Sequence, residues 1–281
     1  MKIIWKLLRH TVLLLPACLI LLPLFMILVN SFMGAEEAAL TFGGIFDNSR
    51  YVSPVLMPAG PKGRAYSDLF LYCRRFYVMF WNSVKDTSCI VAGQVAAAIP
   101  AAWAFAKLEF PLKKAFYAVY LLLMMLPFQV TMLSNYFVLD GAGLLDTPWA
   151  FILPAVFSTF PVFIMTRFFG DIPDEFLEAA GIDGAGPWQM LFYIGLPMAK
   201  SGIAAVAVLQ ILENWNAIEQ PLFFIQDKDA LPLSLFFPNL TLDTWGSSFA
   251  AALVMMVPPI LVFLCGRNQL EEGISHIGVE K

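Results

Sequence analysis

The sequence predicts an all-α, polytopic membrane protein of about six membrane-spanning helices, and three observations predict it. Of 281 residues, 59% are hydrophobic and only 14% charged, with a mean hydropathy of +0.74, which exceeds what a soluble domain needs for its core. The apolar residues gather in runs near the roughly 20 that a helix needs to cross a bilayer core of about 30 Å. The alternating pattern of a membrane barrel is absent, and without water in the bilayer the backbone must satisfy itself within helices.

The elements follow in order. Residues 1–10 form a basic N-terminal segment, and "MKIIWKLLRHTVLLLPACLILLPLFMILVNSF" begins as a signal peptide does. Its apolar run continues to about Val29, too long for a signal core, so 11–32 reads as a retained first span. A long outer segment, 33–76, carries Gly and Pro, and five more spans are expected within a core of 77–266: 77–106, 115–138, 149–169, 196–225 and 248–266. Pro100, Pro127, Pro161, Pro258 and Pro259 fall inside spans and predict kinks supported by neighbouring helices. Residues 267–281 complete the chain as a tail.

Positive charge orients these spans. Lys2, Lys6 and Arg9 precede the first, and Lys107, Lys113 and Lys114 crowd the loop after the second, which places those ends in the cytoplasm. Both termini are then cytoplasmic. Arg74 and Arg75 oppose the rule, but they end a long loop, where charge carries less weight.

Several function classes drop out. A net charge of -4 with no basic block gives nucleic acid no phosphate-tracking surface. Cys18, Cys73, Cys89 and Cys265 lack metal or redox spacing, and the only histidines, His10 and His276, lie near the two ends. No metal site is expected.

The segment 170–195 is longer than a helix connection requires and lies on the cytoplasmic side. Pro173 suits a first helical turn, Asp174 and Glu175 favour the positive end of the dipole, and Gly181 is expected to close the helix in a left-handed conformation. Gly184 and Gly186 make a turn, and Pro187 starts a second helix that leads into the next span. A helix this short must pack on something. Two readings stand: a loop folded on the end of its own bundle, or a docking helix for a soluble partner that supplies energy.

Glu178-Ala179-Ala180, three residues, Gly184, nine residues, then Ile194-x-Leu196-Pro197 resembles the EAA signature of permease subunits in bacterial ATP-binding-cassette importers. "IPDEFLEAAGIDGAG", Asn82-Ser83 followed by "AAWAFAKLEFP", "GLLDTPWAFILP", "ENWNAIEQPL" and "GISHIG" are similar to the maltose-permease, MalG-like branch. The resemblance implies a cytoplasmic coupling-helix (EAA) loop that carries Glu178, Ala179, Ala180, Gly181, Asp183, Gly184, Ile194, Leu196 and Pro197. It also implies a second permease, two copies of an ATPase, an extracellular solute-binding protein, a bacterial plasma membrane and a carbohydrate cargo. The chain has no G-x-x-x-x-G-K-[ST]; "GLPMAKSG" comes nearest, with Ala199 for the second glycine. No cofactor is therefore expected on this chain, and ATP with Mg is expected on the partner ATPase. The chain itself is expected to be a transport subunit and not an enzyme.

Polar residues inside spans are costly and mark function or helix contacts. In the expected fifth span these are Glu213, Asn214, Asn216, Glu219 and Gln220, with Glu213, Asn216 and Gln220 on one face by three-or-four spacing. Asn82, Lys85, Asp86 and Gln129 are further candidates for the translocation path, and Trp215 or Tyr136 offers a ring on which a sugar can stack. Pore lining and hydrogen bonding between helices both account for them. Two other classes are less well served. A secondary transporter would use Glu213 or Glu219 as a proton carrier, but no inverted repeat is visible. A membrane-embedded enzyme would need paired aspartates, or Lys85 facing Ser83 or Ser88, and neither is present in suitable spacing.

Overall fold

The computed structural model describes residues 2–46, 55, 57–236 and 244–278, with backbone alone for 2–11, 45–46 and 273–278. The middle of the expected outer segment (47–54 and 56), part of the expected outer loop at 237–243 and the last three residues lie outside the described residues. The described residues are helical with no strand. Four helices are long and apolar enough to cross a membrane: Val12–Ser31, Arg74–Lys107, Pro148–Gly170 and Trp245–Glu272. Two bent pairs bring the number to as many as six, Lys113–Met124 with Phe128–Gly141 and Pro187–Met198 with Lys200–Trp215. The chain divides into two compact units, residues 1–77 with 236–257, and residues 78–235 with 258–281.

In the first unit the outer segment holds more structure than its composition predicts. A helix runs over Ala35–Phe46, with Glu36 and Glu37 in its first turn, where the helix dipole favours negative charge. Ala38 and Phe42, four residues apart, share one face and are buried with Met33 and Trp245. The Phe42 and Trp245 rings stack at 4.5 Å, and the Trp245 indole N–H donates to Asn30 Oδ1 at 3.2 Å. Lys62 N donates to Phe32 O at 2.9 Å, and the hydroxyls of Ser31 and Tyr66 lie 2.7 Å apart. This helix is not legible in the local sequence because its partner, Trp245, lies about two hundred residues along the chain.

In the second unit the core gathers Ala98, Ala102 and Trp103 of the second span, Val162, Met165 and Phe169 of the fourth, and Leu191 and Val206 of the fifth. Glycines allow the helices to approach. A Cβ on Gly202 would lie 2.2 Å from the Phe168 ring, one on Gly195 2.7 Å from the Trp103 ring, and one on Gly266 2.3 Å from Val208.

Two spans depart from the expected form. The expected third span, 115–138, breaks at Met125–Pro127 with a bend of 101°. Pro127 is extended, with ψ 151°, and its ring removes a backbone donor and excludes helix before it, so a kink becomes a break. The expected fifth span, 196–225, starts earlier, at Pro187, bends by 75° near Ala199 and ends at Trp215. A separate short helix, Glu219–Phe224, follows. The final helix continues past 266 to Gly278 where a tail was expected. Pro100, Pro258 and Pro259 are accommodated within continuous helices.

Candidate functional site

The loop between the fourth and fifth spans is built from its own sequence. Pro173, with ψ 136°, sits just outside the helix rather than in its first turn, and Asp174 and Glu175 open the helix Asp174–Ile182. Glu178, Ala179, Ala180 and Gly181 lie inside that helix, so Gly181 does not close it. Gly184 does, with φ +83°. Gly184 N donates to Gly181 O at 3.1 Å and Ala185 N to Ala180 O at 2.9 Å, the paired bonds of a Schellman stop with Asp183 at its C-cap. A side chain at φ +83° is strained, so glycine is required there. Gly186 N then donates to Gln189 Oε1 at 2.8 Å, and Pro187 begins the next helix.

Glu178, Ala179, Gly181, Asp183 and Gly184 are exposed, and so are Phe176, Ile182 and Trp188. Leu177 and Met190 turn inward to the core, and Ile194 and Leu196 pack beside them, while Pro197 is exposed. The short helix thus has both a docked side and an open side.

Lys107, which sequence reasoning used only to orient the spans, anchors this loop. Its side chain is 6% exposed at the end of the second span. Its Nζ donates to Ile172 O and Asp174 Oδ1, both at 2.6 Å, and lies 3.5 Å from Gly170 O. One cation therefore gathers carbonyls at the end of the fourth span, where the dipole leaves partial negative charge, and the first carboxylate of the loop helix.

Inside the second unit lies a cavity of about 510 Å³. Glu213, Asn214 and Gln220 from the predicted set line it, joined by Gln94, Asn135, Gln210, Thr131, Ser158 and Thr159, which sequence reasoning missed. Gln94 is 2% exposed; its Nε2 donates to Ala155 O at 2.9 Å, and its Oε1 has no partner. Gln210 Nε2 donates to Glu213 Oε2 at 3.0 Å, and Asn214 Nδ2 to Gln210 O at 2.8 Å. An amide in an apolar run was the available signal for Gln94 and Gln210.

The remaining predicted residues are distributed elsewhere. The helix ends at Trp215, so the shared face expected for Glu213, Asn216 and Gln220 does not exist. Asn216 instead bonds back to Leu212 O at 2.8 Å. Gln129 Nε2 donates to Glu219 Oε2 at 2.8 Å beside a smaller cavity of about 260 Å³. Tyr136 packs edge-on against Phe223, and Trp215 is buried with its ring edge-on to Phe80. Asn82 Nδ2 donates to Asp229 O and Leu231 O, and Ser83 Oγ accepts from Leu233 N at 2.7 Å, so this pair fastens the segment after the fifth span. Asp86 is buried with Oδ2 unpartnered, whereas Lys85 is exposed. Among the described residues no acidic, histidine and cysteine groups cluster in a way that holds a metal ion.

Bent apolar helices around a polar cavity, with a short capped helix exposed between two spans, define a helical membrane permease. The chain matches the family "Binding-protein-dependent transport system inner membrane component" over residues 94–275 and belongs to it. It is 30% identical to the lactose transport system permease protein LacG of Rhizobium radiobacter over 200 residues, 70% of this chain and 73% of that protein. It is also 30% identical to the sn-glycerol-3-phosphate transport system permease protein UgpE of Pectobacterium atrosepticum over 204 residues, 71% of this chain and 73% of that one. In fold it is similar to a chain of a bacterial ABC transporter involved in the import of the acidic polysaccharide alginate. The TM-score is 0.77 at 20% identity, covering 94% of this chain and 96% of that one. The chain is thus the permease subunit of an ABC importer, an inner membrane component and not an enzyme; ATP hydrolysis belongs to a separate subunit.

Proposed function

We propose that this chain forms one side of the path by which a carbohydrate crosses the plasma membrane of a bacterium. A second permease supplies the other side, two ATPase copies carry ATP and Mg, and an extracellular solute-binding protein delivers the cargo. Both termini face the cytoplasm, and this chain holds no cofactor of its own. The observation that carries the reading is the polar cavity of about 510 Å³ within the bundle, since hydroxylated cargo needs such amides and hydroxyls where lipid offers none. The exposed helix Asp174–Ile182 is the coupling element: nucleotide-driven closure of the ATPase moves it and biases a bundle with inward-open and outward-open packings. Glu178 to Gly184 form the surface that the ATPase grips, and Ile194, Leu196 and Pro197 join it to the fifth span.

The test is to isolate the tagged protein from its native membrane and measure ATP hydrolysis with candidate binding proteins and sugars. Co-purification of a second permease and an ATPase, with hydrolysis stimulated by one loaded binding protein, is the expected result; a lone, ATP-indifferent protein would refute the assembly. Glu178→Lys and Gly184→Leu are expected to abolish uptake while membrane insertion persists, and wild-type uptake in both would remove the loop from the mechanism.

A further inference from the structure

The charge of the cavity's lining narrows the cargo, an inference that rests on the carbohydrate-importer reading above. Three amides in its wall already spend a donor on the protein itself: Gln94 on Ala155 O, Gln210 on Glu213 Oε2, and Asn214 on Gln210 O. Asn135, Gln220, Ser158 and Thr159 add further donors and acceptors, and Glu213 brings a carboxylate that accepts from Gln210. Among the described residues no lysine, arginine or histidine lines this cavity or the smaller one beside it, where Glu219 is the one ionisable side chain. Screening is weak within a membrane, so a phosphate or carboxylate entering here meets like charge with no cation from this wall to offset it. A neutral hydroxyl can donate to Glu213 and accept from the amides and hydroxyls of the wall without that repulsion.

We infer that the cavity takes an uncharged polyhydroxylated solute, a neutral glycoside, and rejects anionic sugars such as sugar phosphates and uronates. Its volume, about 510 Å³, falls inside the range of roughly 300–1,000 Å³ for small-molecule sites. The distinction matters within this family, because the relatives include a lactose and an sn-glycerol-3-phosphate transport system permease.

The experiment uses the complete transporter in intact cells supplied with an equimolar mixture of lactose, raffinose, glycerol, sn-glycerol 3-phosphate, glucuronate and alginate pentasaccharide. Accumulated solutes are read by mass spectrometry with and without ATP depletion. The expected result is ATP-dependent accumulation of neutral members alone. Glu213→Gln, which keeps an acceptor, is expected to hold uptake within about threefold, whereas Glu213→Lys lowers it by about tenfold or more, as loss of a charged hydrogen-bond partner does. Co-purification of the second permease with each variant separates misfolding from altered selectivity. ATP-dependent accumulation of any anionic member by the wild-type chain, or full neutral uptake by an assembled Glu213→Lys transporter, would overturn the inference and leave the importer standing. Uptake that survives ATP depletion and collapses with a protonophore would instead sink the importer reading, and the charge of the accumulated solute would still decide this one.

Discussion

The capped loop and the polar cavity, both within the second unit, are assembled on different principles. Helix Asp174–Ile182 is started and stopped by residues within twelve positions of one another, from Pro173 to Ala185, and among the described residues its distant polar anchor is Lys107. The cavity draws Gln94, Asn135, Ser158, Gln210 and Gln220 from separate stretches of the chain, and its lining takes in the break of the third span and the end of the fifth-span helix at Trp215. Local chemistry therefore shapes the part that the proposed mechanism needs rigid, and helix packing shapes the part that it needs to change between two states. A short helix closed by a left-handed glycine transmits force because its end cannot fray. A cavity walled by bent helices can close when those helices move.

The largest effect is expected where the two principles meet. Lys107→Met leaves the Ile172 carbonyl without its charged donor and frees the start of the loop helix. A hydrogen bond to a charged group is worth about 1.5–3 kcal/mol, so uptake should fall at least about tenfold. The expected signature is uncoupling: the complex still assembles and hydrolyses ATP, but less solute enters per ATP. Lys107→Arg should restore much of the coupling. Asp174→Asn should matter far less, because Asp174 is 75% exposed and a surface ion pair contributes little. Equal losses in Lys107→Met and Asp174→Asn would show that the ion pair, and not the carbonyl clamp, holds the loop.

A middle-sized effect tests the packing side. A methyl on Gly202 would sit 2.2 Å from the ring of Phe168, so Gly202→Ala forces two helices apart. Overpacking of this kind costs about 1–3 kcal/mol. Thermal unfolding of the detergent-solubilised complex should drop by several degrees, with partial recovery when Phe168→Leu is added. An unchanged transition would mean that the helices slide there at little cost, and the cavity wall would be softer than its packing implies.

The same contrast explains what the sequence disclosed. The fold class, the break at Pro127 and the two short helices that follow Pro173 and Gly186 were legible because each is written in neighbouring residues, whereas Pro100, Pro258 and Pro259 sit in continuous helices. Even there Gly181 and Gly184 exchanged roles: both are glycines near a helix end, and only the backbone bonds show which one turns left-handed. The cavity was half legible. Glu213, Asn214 and Gln220 stood out as polar residues in an apolar run, but their supposed common face assumed one continuous helix, and the chain stops being helical at Trp215. Gln94 and Gln210 were single amides among apolar neighbours, and only packing reveals that they share a wall. Asn82 drew attention as a path residue, yet its bonds to Asp229 and Leu231, beside that of Ser83 to Leu233, fasten the segment after the fifth span.

The smallest expected effect marks where the cavity ends. Gln129 and Glu219 are exposed and bonded to each other at 2.8 Å beside the smaller cavity. An exposed pair of this kind contributes around 0.5–1 kcal/mol at most, because water replaces either partner. Gln129→Ala should therefore change uptake by less than about threefold and leave assembly intact. A much larger loss, with the complex still formed, would place the pair directly on the path and extend the acceptor-lined wall from Glu213 to Glu219. The cargo would then pass two carboxylates in succession, which would strengthen the case for a neutral solute and shift the border between structural and cargo-facing residues by one short helix.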